Sequence, residues 1–205
     1  FHDLLARVRP DDEPRLVVDL GCGPATLTAT LAQRWPGARV IGVDSSAEMV
    51  AAARGVRSGV EVVEADLTTW TPPGPVDVIV ANAVLHWLPG HLALLGRLVG
   101  WLAPGGWIAV QVPANFGEPT HTLLRELRAD PRWSALLAAA RSPSEAGVAS
   151  PEEYLAALMD AGCDADVWAT QYVHLLPGDD PGEPFDLAPG ASRTSSRPRR
   201  SGPGP

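Results

Sequence analysis

Lysine is absent from this 205-residue sequence, so all 16 of its basic residues are arginines. With 24 acidic residues, the formal net charge is -8 and the pI is about 5.0. Nucleic acids and anionic membranes are bound through clustered cations. We therefore expect neither nucleic acid nor a membrane surface as the main partner of this chain.

Cysteine is also scarce, and the two that occur, Cys22 and Cys163, lie far apart in the sequence. This spacing matches no metal-ligand pattern and is typical of a reduced intracellular chain. We expect no signal peptide, and the sequence contains no apolar run long enough to cross a bilayer. We expect a cytoplasmic protein with no bound metal.

The most informative stretch present is RLVVDLGCGPATLTATL, residues 15–31. It predicts a strand that ends at Asp19, a glycine turn and then a helix over residues 25–35. Glycines at such a turn let the backbone approach a ligand closely, and the following helix directs unpaired N–H groups to the same place. A nucleotide-like ligand is expected there.

The glycine pattern alone leaves two cofactor classes open. A dinucleotide fingerprint needs glycine where Thr26 stands, and the pattern Gly-x-Gly-x-Gly needs it where Ala25 stands. Asp19 favours a cofactor with a cationic amino-acid portion, because a carboxylate beside the turn repels a pyrophosphate. Asp44, at the end of the next apolar run, suits ribose hydroxyls in both classes.

Strand and helix patterns alternate along the rest of the chain, which predicts an α/β fold with a mainly parallel sheet covered by helices on both faces. We expect one domain over residues 1–177 and a disordered Gly/Pro/Ser/Arg tail over residues 178–205. The arginines of the tail suit either an anion-binding arm or a mere linker. Further strands are predicted at residues 39–44, 60–65, 76–81, 107–112 and 165–176, and helices at residues 1–8, 47–54, 91–102, 120–139 (interrupted near Pro131) and 151–161.

Chemistry-bearing residues follow the strands at the edge where parallel sheets bind ligands. Asp66 follows the third strand and suits either an adenine amino group or a local turn cap. Asn82 follows the fourth strand and opens the segment 82–87, which contains His86 and Trp87. His86 suits a substrate contact or a structural role equally well, whereas an aromatic side chain at residue 87 also suits packing beneath the loop.

With these motifs in order, the chain resembles the class I S-adenosylmethionine-dependent methyltransferases, which have a Rossmann-like sheet. The motifs that carry the resemblance are residues 19–25, Asp44, Asp66, residues 82–87 and residues 102–106. Within that superfamily the chain is similar to the trans-aconitate 2-methyltransferases, through residues 84–87, 112–116, 118–121 and 168–174.

The resemblance implies S-adenosyl-L-methionine as cofactor and methyl transfer to a carboxylate of a small polycarboxylic acid, giving a monomethyl ester. We expect a monomer. The implied cofactor-binding residues are Asp19, Gly21, Cys22, Gly23, Asp44, Ser45, Met49, Asp66, Leu67 and Asn82. The implied catalytic residues are His86, Tyr172 and His174, and the implied substrate-binding residues are His86, Trp87, Asn115 and His121. Tyr172 and His174 share a face if the last strand is regular.

Two departures from the family pattern shape the remaining expectations. Family members have a further N-terminal segment and a final antiparallel strand, and we expect this chain to lack that closing strand and to leave a sheet edge unpaired. Three alternatives therefore stay open: an oxidoreductase using a dinucleotide, a methyltransferase for another small acid or a carrier-bound malonyl group, and a cofactor-binding chain without turnover.

Overall fold

The structure is a computed structural model that describes residues 1–56, 59–137 and 148–172. Five strands are formed in these residues: β1 (Leu16–Leu20), β2 (Arg39–Asp44), β3 (Val60–Glu64), β4 (Val76–Asn82) and β5 (Leu102–Gln111). The helices are α1 (His2–Arg7), α2 (Thr28–Arg34), α3 (Ala47–Arg54), α4 (His91–Val99), α5 (Pro119–Ala129), α6 (Ser134–Leu137) and α7 (Pro151–Asp160), with a 3₁₀ turn at Leu85–Trp87.

The five strands form one parallel sheet in the order β3-β2-β1-β4-β5. The strand order reverses direction at β1, whose neighbours are β2 on one side and β4 on the other. In open α/β sheets the ligand crevice lies at such a switch point, beyond the carboxyl ends of the strands. The sheet therefore places the ligand-binding edge at the ends of β1, β2 and β4.

Alternate residues of the central strands feed two separate cores, one on each face of the sheet. Val17 and its neighbours on one face pack with buried residues of α1 and α2, including Leu5 and Leu31. Val18 and its neighbours on the other face pack with Leu95 of α4 and with other buried apolar side chains. Both faces are covered, which explains why the strands read as nearly continuous apolar runs.

Several element boundaries differ from the sequence predictions for physical reasons. Helix α2 begins at Thr28 and not at Ala25, because Ala25 has a left-handed φ of 58° and continues the turn. Helix α4 ends at Val99, and β5 begins at Leu102, earlier than predicted, with an irregular register against β4 between Val76 and Val78. By contrast, α3 has the predicted bounds, since the Ser46 hydroxyl accepts from the Met49 amide and caps it.

The prediction of a last strand over residues 165–176 is wrong for residues 165–172, which the structure describes. Residues 163–172 form no strand, and residues 173–176 lie outside the described residues. Phe1 to Ala169 form one compact unit, while residues from Thr170 onward belong to a second unit of which only residues 170–172 are described. A domain boundary near residue 177, a disordered tail and a missing closing strand stay predictions.

Within the described residues, none of the helices has the length and apolar character required to span a membrane.

Candidate functional site

The glycine turn between β1 and α2 is held in an unusual backbone conformation. Gly21, Gly23 and Ala25 have φ values of 70°, 53° and 58°, in the left-handed region that favours glycine. The amides of Gly21 and Cys22 both donate to the carbonyl of Val43, at 2.7 and 3.1 Å. The turn is therefore fastened to the end of β2 before any ligand binds.

Asp44, the last residue of β2, links this turn to the start of α3. Its Oδ2 accepts from the Gly23 amide at 2.9 Å, and its Oδ1 accepts from the Ser46 amide at 2.9 Å. Each carboxylate oxygen can still accept a second hydrogen bond. Asp44 thus both shapes the site and retains acceptor capacity toward a ligand.

Asp19 is a buried acid next to the same turn, with 3% of its surface exposed. Its Oδ2 accepts a 2.6 Å hydrogen bond from the hydroxyl of Thr28, the first residue of α2, which is fully buried. Burial raises the pKa of Asp19 to about 7; the Thr28 hydrogen bond opposes this rise and the charge of Asp44 adds to it. This carboxylate therefore stands near its protonation midpoint at neutral pH.

Cys22 forms a wall of the turn and is not a nucleophile. Its side chain lies against Gly42 of β2, where a Cβ atom would stand 2.9 Å from the Cys22 sulfur. Burial, together with the charges of Asp19 and Asp44, raises the pKa of the Cys22 thiol to about 12. The thiol is uncharged at neutral pH, and its reactivity as a thiolate is suppressed.

Other sequence-predicted cofactor residues surround this centre. Ser45 is exposed and Met49 is partly buried at the start of α3, while Leu67 is 5% exposed. Asp66 is exposed, and one of its carboxylate oxygens accepts from both the amide and the hydroxyl of Thr68, at 2.8 and 2.7 Å. These two bonds lower the pKa of Asp66. One carboxylate oxygen of Asp66 therefore caps the local turn, which is one of the two roles that the sequence suggested for this residue.

The loop after β4 meets the glycine turn. Val84 packs so closely on Gly21 that a Cβ atom on Gly21 would lie 2.4 Å from a Val84 methyl carbon. Asn82, at the end of β4, has a buried Oδ1 with no hydrogen-bond partner among the described residues. An unpaired buried acceptor is costly, so this oxygen indicates a place where a ligand donor fits.

His86 lies in the same loop and is 5% exposed. Its Nδ1 is the second buried polar atom without a partner among the described residues. Burial, with a smaller contribution from nearby His91, lowers the pKa of His86, so the ring is neutral at pH 7. Its ring centroid lies 5.1 Å from that of Trp87 and 5.7 Å from that of Phe116, and Phe116 in turn lies 5.1 Å from His121.

The structure thus brings together three of the four sequence-predicted substrate residues, His86, Trp87 and His121. Phe116 lies between His86 and His121. Asn115 precedes Phe116 and is exposed. Tyr172 is exposed in a segment that is not a strand, and His174 lies outside the described residues, so the regular strand that would align the two is absent up to residue 172.

Sequence reasoning missed Thr28 as the partner of Asp19. The signal that was available is a hydroxyl residue in the first turn of the predicted helix, residues 25–35, after an acid and a glycine turn.

A shallow cavity elsewhere does not contribute to this site. It is lined by residues that precede β4 and β5, among them Pro72, Pro75 and Trp101. These residues lie at the amino-terminal ends of the strands, opposite the edge that holds Asp19, Asp44 and Asn82. The cavity therefore carries no argument about the chemistry at the carboxyl edge.

The chain is similar to known proteins in sequence and in fold. Residues 17–106 match a family model described as a methyltransferase domain. The matched segment runs from β1 into β5, and it therefore contains the glycine turn, Asp44 and the loop after β4.

Over 188 residues the chain is 50% identical to a trans-aconitate 2-methyltransferase of Streptomyces coelicolor, with 88% of this chain and 61% of that protein covered. A trans-aconitate 2-methyltransferase of Streptomyces avermitilis is 49% identical over 189 residues, with 88% and 70% covered. A relative from Mycobacterium tuberculosis, named probable trans-aconitate 2-methyltransferase, is 48% identical over 181 residues, with 88% and 68% covered. The chain spans roughly two thirds of the length of these relatives.

Solved structures share the fold. The plantazolicin methyltransferase BpumL in complex with SAH matches with a TM-score of 0.54 at 17% identity, over 72% of this chain and 55% of that chain. A chain of the complex between the Haloferax volcanii Trm112 methyltransferase activator and a putative methyltransferase matches with a TM-score of 0.55 at 23% identity, over 78% and 66%. The predicted Rossmann-like α/β fold is confirmed.

Proposed function

Because this chain belongs to the trans-aconitate 2-methyltransferase family, we propose that it transfers a methyl group from S-adenosyl-L-methionine to a carboxylate of a small polycarboxylic acid. The substrate that relatives' names indicate is trans-aconitate, and the product is its monomethyl ester. One observation of the structure carries the proposal. Two acids and two unpaired buried polar atoms meet at the carboxyl edge of one sheet, at its switch point.

The residues at this edge fit the cofactor. The cationic amino-acid portion needs carboxylate and carbonyl acceptors, which Asp19 and the unpartnered Oδ1 of Asn82 supply. Asp44 keeps acceptor capacity for the ribose hydroxyls, and Asp66 has a second carboxylate oxygen for the adenine amino group. The other proposed contacts are Gly21, Cys22, Gly23, Ser45, Met49 and Leu67.

When bound, the cofactor supplies an electrophilic methyl group, which the carboxylate oxygen takes as the carbon–sulfur bonding pair returns to sulfur. A carboxylate nucleophile is already ionised at pH 7, so the transfer requires no general base. The protein then acts mainly by positioning the substrate and by excluding water.

His86 is the residue we assign to the substrate carboxylates. Its ring is neutral because its pKa is lowered, and a neutral ring carries one N–H donor. The unpartnered Nδ1 offers that donor to a carboxylate oxygen. Trp87 and Phe116 flank the ring and reduce the access of water. Asn115, His121, Tyr172 and His174 are further proposed contacts.

We also propose a location and a set of partners for this chain. We place it in the cytoplasm as a monomer with a small-molecule substrate and with neither a nucleic-acid partner nor a metal. The acidic balance of 24 acidic against 16 basic residues and the absence of a cysteine metal pattern support this setting.

Calorimetric titration with S-adenosylhomocysteine tests the cofactor assignment. We expect saturable binding, weakened in Asp44→Ala by about 1 to 3 kcal/mol, the scale for leaving buried polar partners unpaired. Asp12→Ala, which removes an acid from an exposed loop, is the matched control and should bind as the wild type does. Thermal melts establish that each variant is folded. No heat from a folded wild-type sample would overturn the assignment.

A further inference from the structure

Thr28 and Asp19 are joined by a hydrogen bond to which the proposed function assigns no role. The hydroxyl of Thr28 donates to Oδ2 of Asp19 at 2.6 Å, between a fully buried and a 3% exposed residue. Thr28 begins α2, and Asp19 is the penultimate residue of β1. A short bond to a carboxylate, sheltered from water on both sides, holds that carboxylate in one orientation.

Within the part of the chain that the structure describes, one other acid, Asp44, and no cation acts on Asp19. Its neighbours in the sheet are Gly42 of β2 and Val80 of β4, neither of which ionises. From the turn and the end of β2, the ionisable groups facing it are Cys22 and Asp44. Helix α1 contributes apolar side chains to this face of the sheet, and Asp19 takes part in none of the ion pairs among residues 1–56, 59–137 and 148–172.

A buried carboxylate without a cationic partner is costly unless a cation arrives with the ligand. We propose that Thr28 is a positioning residue, whose hydroxyl fixes Oδ2 of Asp19 and leaves Oδ1 to accept from the ammonium group of the cofactor. This inference rests on the proposed function, because it takes the cofactor's amino-acid portion as the ligand of Asp19.

The hydrogen bond between Thr28 and Asp19 affects how the affinity for the cofactor changes with pH. Since the pKa of Asp19 is raised to about 7, part of the free protein carries a proton on this group at neutral pH. An ammonium ligand favours the ionised carboxylate, so binding releases that proton and the affinity rises as the pH increases from 6 to 8. The Thr28 hydrogen bond favours the ionised form, and its removal moves this rise to higher pH.

The experiment compares wild type, Thr28→Val and Thr28→Ser by calorimetry from pH 6 to 8, with two ligands. S-adenosylhomocysteine carries the amino-acid portion, whereas 5′-methylthioadenosine has the nucleoside and thioether without it. We expect Thr28→Val to weaken S-adenosylhomocysteine binding about tenfold at pH 7, the effect of losing one bond to a charged group. We expect Thr28→Ser to bind within about twofold of wild type.

The second ligand and the pH profile separate positioning from a structural role. Binding of 5′-methylthioadenosine should be unchanged in Thr28→Val, and the loss for S-adenosylhomocysteine should shrink at pH 8. Equal weakening of both ligands, or a loss that does not vary with pH, would overturn the inference, as would unchanged binding in Thr28→Val. Failure of the wild type to bind either ligand would instead overturn the proposed function on which the inference rests.

Discussion

The two halves of the site are built in different ways. In the cofactor half, residues 19–46, turn amides and side chains are bonded to one another, as in the Val43 carbonyl that accepts from both Gly21 and Cys22. In the substrate half, residues 82–137, His86 and the proposed cofactor contact Asn82 each keep a buried polar atom without a partner among the described residues.

Two helices of the substrate half also expose more apolar surface than the cofactor half does. Helices α5 and α6 present apolar side chains to solvent, with Leu123 at 57%, Leu127 at 45% and Leu136 at 75% exposure. In the cofactor half, by contrast, Leu20 of β1 and Leu31 of α2 are fully buried. We infer from the difference that most of the proposed cofactor contacts lie in a backbone network fixed by the fold, whereas the proposed substrate contacts are a few side chains in a more open region.

The largest effect is expected where the two halves touch. Gly21→Ala would place a methyl group 2.4 Å from Val84 on a backbone with a φ of 70°. Strain and overpacking together should lower the free energy of unfolding by about 3 kcal/mol or more. Urea denaturation measures this change.

Gly23→Ala is the matched control for that substitution. Gly23 has a φ of 53°, but no atom lies within 4 Å of an added Cβ, so only backbone strain of about 1 kcal/mol is expected. Equal losses in the two variants would break the comparison, because they would show that the contact between the glycine turn and Val84 contributes nothing.

A smaller effect of opposite sign is expected at Asp19. Its pKa in the folded protein is raised to about 7 from the ordinary value of an aspartate, so ionisation of this group disfavours folding. Asp19→Asn should therefore raise the free energy of unfolding by roughly 1 to 3 kcal/mol at pH 8. The gain should shrink as the pH falls from 7 toward 4, because the folded wild type takes up the proton.

In the same variant, the affinity for S-adenosylhomocysteine should fall although the stability rises. Asp19→Asn removes the charge that faces the cofactor's ammonium group, so binding of S-adenosylhomocysteine should weaken about tenfold or more. Denaturation and calorimetry at pH 8 give the two readouts, and Asp12→Asn, in an exposed loop, is the control for charge alone. Loss of stability in Asp19→Asn would contradict the account of this buried acid.

Much of the cofactor half could be predicted from sequence because its signals are local. Ser46 and Glu48 mark the start of α3, and acids that follow apolar runs mark the ends of strands. The left-handed conformation of Ala25 was not predicted, although the pattern Gly-x-Gly-x-Gly places glycine at this position. The bond from Thr28 to Asp19 likewise depends on how α2 docks on the sheet.

The substrate half was harder to predict for the same reason. The ring contact between His86 and Phe116 joins residues 30 apart in the chain, and no local pattern encodes it. The late strand was predicted over residues 165–176. In the structure, residues 163–172 form no strand.

The most direct test of the central claim is methyl transfer itself. The purified chain is incubated with trans-aconitate and S-adenosyl-L-methionine carrying an isotopically labelled methyl group, and the acid is analysed by mass spectrometry. The account predicts labelled monomethyl ester, with kcat/KM lowered about tenfold in His86→Gln while the Kd of S-adenosylhomocysteine stays within about twofold. Saturable cofactor binding without any labelled ester would contradict the account and show a cofactor-binding chain without turnover.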